Sequence, residues 1–592
     1  MEFVRIHEIK LNAKEAKGLS AQELEELLLK RTGRRLRLPA GSLRKIHIAK
    51  ESLDAREKPD VYRVFSVDVL DSEFEPQELL AEARRSRAKA AVVTEESVAF
   101  PEKCALPEGV KRPVVAGFGP CGIFAALTLA EAGLRPVVLE RGACMQERVA
   151  AVEKFWSEGV LDPRTNVQFG EGGAGSFSDG KLTTGTKDPV HRLILQTFAD
   201  AGADPDILYK QHPHVGTDVL RDVVVNLRHR IEALGGEVRF CTQLTGLQIA
   251  DGVLKAVEVQ GPDGQAETIE TDALILALGH SARDSFAMLY GLGMNMEQKQ
   301  FSMGVRIEHR QADIDMAQYG APHEELGIGA AEYKLAVKTK EGRGVYTFCM
   351  CPGGYVVASA SEEGGVCTNG MSLRARDGEN ANSALLADVR PEDFGSDHPL
   401  AGVELQRKYE RLAFELGGSD YRAPAQTVGE FRALGNSSGS CHQGTPRHPL
   451  AAARSGPLPF APPLGATTIL KPSYRPGIKW ADLHECLPEF VSDALEEALP
   501  MLGRKLKGFD APDAVMTGIE ARSSSPVRIK RDAEGLALAS EGERIAGIYP
   551  AGEGAGYAGG IMSAAADGYH AAMHVLDRIC GDQNREKSKV SV

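Results

Sequence analysis

Three clusters in this 592-residue chain have residue types and spacings that suit chemistry. The first is Gly117-Phe-Gly119-Pro120-Cys121-Gly122, a G-x-G-x-x-G turn followed by Glu140 and Arg141 at close to the 20-residue interval that a ribose-gripping carboxylate needs. Gly117 makes the tight turn, Gly119 lets a pyrophosphate approach the backbone, and Gly122 lets a helix pack against a strand. The second is Gly552-Glu553-Gly554 with Gly560-Ile561 close behind, an acid on a glycine turn that leads into another helix N-terminus. Unpaired amides and a partial positive charge at such a terminus suit an anionic ligand. The third is Cys349-Met-Cys351. A C-x-C pair can be redox-active or hold a metal. On an alternating strand, however, its two side chains share a face, where both can simply be buried, and no histidine cluster supports a metal.

Other chemistry-bearing residues gather on loops. Asn166 to Lys181 is too rich in glycine for a regular element and suits backbone laid against a flat or charged ligand. Within it Gly175 would meet the ligand, Ser176 and Ser178 would donate hydrogen bonds to it, and Lys181 would offset negative charge. The plainer reading is a surface loop, but Phe169, Phe177 and Leu182 argue for anchoring by packing. The apolar run Ala273 to Leu278 ends in small residues, so Ala277 and Gly279 should lie near phosphates, with His280 beside them. Arg522, within Glu520 to Val527, either recognises an anionic substrate or caps a turn. Lys181, His280, Arg522, Cys349 and Cys351 are the candidate catalytic groups.

The elements that position these residues follow from hydrophobic pattern. Val114 to Ala116, Ile123 to Ala132 and Pro136 to Leu139 read as strand, helix and strand around the first turn. Val219 to Leu234 is a helix, Glu237 to Cys241 a strand, and Leu254 to Val259 with Ala266 to Thr271 a hairpin about Pro262-Asp263-Gly264. Ser302 to Glu308, Tyr333 to Lys338 and Gly344 to Met350 are strands of a mixed sheet. Arg432 to Leu464 reads as a long substrate-covering loop, and Pro488 to Leu506 as a helix. The first 100 residues read βαββαβ, with a capping box at Ser20 and Glu23.

The expected fold is therefore α/β. A discontinuous Rossmann-like domain (111–290 and 541–580) surrounds an inserted mixed-β substrate domain (291–540). It is preceded by a ferredoxin-like α+β domain (1–100) and a proline-punctuated linker (95–112), and followed by a polar tail (581–592).

A formal charge of −13 argues against a general nucleic-acid binder. The basic cluster Lys30, Arg31, Arg34, Arg35 and Arg37 sits among 19 basic and 18 acidic residues in the first 100, which suits a solvated edge or an interdomain contact better than a nucleic-acid footprint. No apolar run approaches the roughly 18 residues of a membrane span. The charged N-terminus does not read as a secretory signal, and ten cysteines do not form a dense disulfide framework. A reducing, cytoplasmic setting is expected.

The two glycine signatures, VAGFGPCG…LERG and YPAGEGAGYAGGI, resemble those of FAD-binding oxidoreductases of the glutathione-reductase-like superfamily. GGAGSFSDGKL, VYTFCMCPGG, TNGMS and SSPVRI are similar to segments of a family of uncharacterised bacterial FAD-dependent dehydrogenases. The resemblance implies FAD as cofactor, with Glu140 on the adenosine ribose and Val238 giving the adenine a backbone contact. It places Glu553 by the ribityl–pyrophosphate region, and Gly560 and Ile561 near the flavin ring. Glu553 stands where the usual signature has aspartate. A dedicated second nucleotide-binding domain of the kind disulfide reductases use for NAD(P)H is not read mid-chain and a C-x-x-x-x-C pair is absent, so NAD(P)H, if it is the reductant, docks transiently. The expected activity is an FAD-dependent dehydrogenase acting on a small-molecule substrate. Its rivals are an NAD(P)H-driven double-bond reductase and an RNA-associated flavoprotein that uses residues 1–100.

Overall fold

Three-residue apolar strands, Val114–Ala116 and Val137–Leu139, lie side by side and fully buried in the computed structural model, which describes residues 2–94, 98–104, 109–436 and 470–581. Glu237–Arg239 extends their sheet on one side, and Leu274–Leu276 with Ile548–Pro550 extends it on the other, all in parallel. Parallel neighbours need crossovers. The first of these is helix Pro120–Glu131, buried on every side from Cys121 to Ala130. The sheet begun at Val114 is thus closed by a strand from the far end of the chain. Helix Ile561–Cys580 follows and lies so close to the first helix that a Cβ at Gly568 would sit 2.0 Å from the Cys121 carbonyl oxygen. A disulfide joins Cys104, before the first strand, to Cys580 at the end of that helix.

The expected hairpin is present as Val253–Gln260 and Ala266–Glu270, with Gln243–Ala250 as an unforeseen third antiparallel strand. A seven-stranded mixed sheet is built around Phe301–Arg310, Asn380–Val389 and Val515–Glu520. Gly344–Cys351 pairs with Asn380–Val389, and of Tyr333 to Lys338 only Ala336–Lys338 is strand. Arg432 to Asn436 is not loop but the end of helix Val428–Asn436, and the rest of that expected loop lies outside the described residues. The helix at Glu489–Lys505 forms despite Pro500 inside it.

Residues 2–94 form an antiparallel sheet in the order Leu43–Glu57, Asp60–Ser72, Glu2–Asn12, Ala90–Thr94, with helices Ala21–Leu36 and Pro76–Arg85. The Ser20–Glu23 capping box is formed. Arg35 of the basic cluster donates to the carbonyl oxygens of Ser86 and Arg87, and Arg31 pairs with Glu15. The long second strand reaches the rest of the molecule, where the Glu51 amide donates to Tyr209 O and Gln211 N donates to Glu51 O, both at 2.8 Å. Among the described residues no helix is long and apolar enough to cross a membrane.

Candidate active site

A cavity of about 1320 Å³ runs between the parallel sheet, the seven-stranded sheet and the strand edge near Glu51. That exceeds the roughly 300–1,000 Å³ of a pocket for one drug-sized ligand, leaving room for two molecules. Its floor is bare backbone. Gly117 has φ 106°, and a Cβ there would lie 2.2 Å from Ala277 O, so only glycine fits the turn. A Cβ at Gly122 would fall 1.9 Å from Gly117 O, so this glycine serves helix packing. Gly119 caps helix Pro120–Glu131, with proline at the first helical position, where a missing amide costs nothing. At Gly279 and Gly560 a side chain would meet nothing within 4 Å. A floor without side chains at a helix N-terminus fits a dinucleotide pyrophosphate.

Glu140 lies at the wall of this floor and is 5% exposed. Its carboxylate accepts from the amides of Phe118 at 2.9 Å, Gly142 at 3.0 Å and Gly170 at 2.8 Å, which ties the first turn to the glycine loop. Arg141 also lines the cavity, paired with Asp284 and stacked over Phe169. Gly175 faces the cavity and packs on Ile561, so the loop and the last helix meet there. Glu553 lines the same space, and burial pushes its carboxyl up to about 7 against a hydrogen bond from the Gly560 amide.

Four expectations need correction. Ser176 does not face the cavity; it is fully buried, and its hydroxyl turns back to Glu171 O at 3.4 Å, whereas Ser178 does line the cavity. Val238 sits in the strand Glu237–Arg239 at the sheet edge and is not part of the cavity wall. Cys349 and Cys351 do not share a face. Cys349 has φ 42° at a bulge in its strand, so it lines the cavity while Cys351 is buried behind it. Gly552 is likewise a packing residue, against Cys121.

The remaining candidates are brought together on the cavity wall. The Lys181 Nζ donates to Met350 O, between the two cysteines. His280 is held neutral, pushed down to about 3 by burial and by Arg522 and Arg283. Arg522 is no free anion receptor, because its guanidinium grips Glu410 at 2.7 and 2.8 Å and also donates to Ser361. The sequence reading missed Glu520 as a functional group. It lines the cavity, is paired with Arg306, and is raised by burial to about 7. The available signal was a charge, Arg306, between the apolar Val305 and Ile307 of a buried strand.

Residues 300–452 and 464–523 match the model of the "FAD-dependent protein, C-terminal domain-like" family, and residues 4–70 match a domain of unknown function. An uncharacterised protein of Clostridium beijerinckii is 43% identical over 569 residues, covering 95% of this chain and 98% of that protein. A flavin-dependent brominase structure covers 81% of this chain and 83% of its own at 11% identity and a TM-score of 0.35. A flavocytochrome c3 fumarate reductase structure covers 81% of this chain and 79% of its own at 12% identity and a TM-score of 0.28.

Proposed function

The chain belongs to the same family as that Clostridium beijerinckii protein, its cofactor is FAD, and on that premise we propose an FAD-dependent dehydrogenase that exchanges hydride with a small organic substrate. One observation carries the reading: the glycine floor and the titratable wall of the seven-stranded sheet bound one cavity. In this reading the nucleotide-binding domain is discontinuous, the seven-stranded sheet is inserted in it, and residues 1–100 are a ferredoxin-like domain. Gly117, Gly119, Pro120, Cys121 and Gly122 would hold the pyrophosphate, and Glu140 with Arg141 the adenosine side. Gly175, Lys181, Ala277, Gly279, Glu553, Gly560 and Ile561 would hold the remainder.

When bound, FAD supplies the two-electron chemistry. The chain's part is to orient it, exclude water and manage protons. The Glu520 carboxyl oxygens, with a pKa near working pH, can hold or release a proton on the cavity wall. Arg306 keeps that carboxyl in place through two hydrogen bonds. NAD(P)H, as a transient reductant, would enter the same cavity.

The test is anaerobic reduction of the purified yellow protein against a metabolite panel that includes NADH and NADPH. Rapid bleaching by NADPH alone would move the assignment to a double-bond reductase. Colourless protein that takes up no FAD on reconstitution would end the flavin reading.

A further inference from the structure

The bulge that separates Cys349 from Cys351 does more than break an alternation. A left-handed backbone at a non-glycine residue is strained and persists only where the surroundings enforce it. Here it turns one thiol to the cavity and leaves the other directly behind it, within hydrogen-bonding reach. The Cys351 Sγ also donates to Cys349 O at 3.2 Å. Positive charge converges on the pair. Arg306 Nη1 donates to Cys349 O at 2.9 Å, and Lys181 donates to the carbonyl of the intervening Met350. The hydrogen bond from Cys351 holds the Cys349 thiol down at about 6 against burial, and Arg306 and Lys181 act in the same direction as that bond. Cys351 is pushed up. A low-pKa thiol that faces a cavity, with a second thiol behind it, has the division of labour of an attacking and a resolving cysteine.

We propose that Cys349 and Cys351 are a redox pair that exchanges two electrons with the flavin and passes them to a small disulfide in the cavity. The proposal rests on the FAD reading above. In the first step the Cys349 thiolate attacks one sulfur of the small disulfide. That S–S bond breaks, one thiol leaves with a proton, and a mixed disulfide forms. Cys351 then attacks Cys349 Sγ, releasing the second thiol and closing a Cys349–Cys351 disulfide. Reduced flavin returns the electron pair, the protein S–S bond opens, both sulfurs regain protons, and the flavin ends oxidised. The sum is one small disulfide reduced to two thiols for each reduced flavin oxidised.

The experiment uses the full-length holoprotein with Cys580→Ser, so that the Cys104–Cys580 bond does not contribute. Protein oxidised with glutathione disulfide is titrated anaerobically with dithionite, and its cysteines are mapped by alkylation and peptide mass spectrometry. The expected uptake is four electrons per flavin, with Cys349 and Cys351 converted together from disulfide to thiols. Adding Cys349→Ser or Cys351→Ser should halve the uptake to two and leave the FAD spectrum in place. Uptake of two electrons in the parent, with both thiols free throughout, overturns the proposal. Mapping the apoprotein after the same oxidant separates the two readings. A Cys349–Cys351 disulfide in protein that binds no FAD would sink the flavin step and the dehydrogenase while leaving the thiol pair, and its absence there sinks the pair itself.

Discussion

Glu410 and Glu520 are both buried carboxylates gripped by arginine near one cavity, yet they are tuned in opposite directions. Burial raises each of them. At Glu410 it is overcome by Arg283 and Arg522, each of which makes two hydrogen bonds of 2.7–3.0 Å, and the carboxyl is held at about 2. Glu520 has Arg306 alone, and that guanidinium is shared with Asn369, Asn382 and Cys349 O. Burial prevails, and Glu520 stays at about 7. The number of guanidiniums per carboxylate therefore decides whether a buried pair is a permanent strut or a proton store.

The largest effect should come from neutralising the strut. Glu410→Gln leaves two buried guanidiniums facing an amide, and the loss of a buried partner typically costs 3–5 kcal/mol, so about 4 kcal/mol is expected in urea unfolding. A loss below about 1 kcal/mol would break the comparison, because Glu410 would then be no strut.

Acid should reveal the same asymmetry. A carboxylate with a lowered folded pKa contributes stability above its unfolded pKa of about 4.5 and loses it as pH falls toward 2. Glu410 should therefore remove roughly 3 kcal/mol between those limits, seen as a steep fall in melting temperature below pH 4.5 that Glu410→Gln flattens. Glu520 has the opposite sign. Its raised folded pKa favours the protonated folded form, so its contribution falls as pH rises from about 4.5 through 7. Glu520→Gln mimics that protonated form. It should cost no more than about 1 kcal/mol at pH 6, and less at pH 8, while erasing any step near pH 7 in the rate of flavin reduction. A pH-independent cost as large as that of Glu410→Gln would make Glu520 a second strut.

None of this pairing was legible in the sequence, and the reason is physical. The turn at Gly117 to Gly122 could be read because its glycines are spaced by geometry within one turn of chain. The return of Gly552 to Ile561 to the same site could be inferred because both segments suit the same ligand. Arg306 and Glu520 meet only because Phe301–Arg310 pairs with Val515–Glu520, a register that no local pattern encodes. Asn380–Val389 went unread because it is buried on both faces with Asn380, Asn382 and Ser383 inside it, so it shows no alternation. The Cys349 bulge defeats a period of two for the opposite reason, since it occurs within a strand that otherwise alternates. Residues 1–100 read correctly as βαββαβ, but their place at the cavity wall depends on the Glu51 backbone, which carries no side-chain signal.

Glu362 supplies the smallest and sharpest test, because it stands between the two extremes. Burial raises it, but Arg407 and Arg283 together hold it at about 2. Arg283 sits at the buried end, with Nη1 2.7 Å from the carboxylate, while the Arg407 side chain is 26% exposed at the rim. A partly exposed pair of this kind contributes little on its own, so Arg407→Ala should cost only about 0.5–1 kcal/mol at pH 7. Its more telling effect is on protonation. Removing Arg407 leaves Glu362 hydrogen-bonded to a single guanidinium, that of Arg283, which is already shared with Glu410, and this approaches the circumstances of Glu520. The Glu362 pKa should then climb toward the ordinary carboxylate range, and acid unfolding should begin at a higher pH than in the parent. Because Glu362 keeps a third of its side chain in water, it should stop short of the value reached by Glu520. An acid transition unmoved by Arg407→Ala would mean that guanidinium number does not set these carboxylates, and that burial alone separates Glu520 from Glu410.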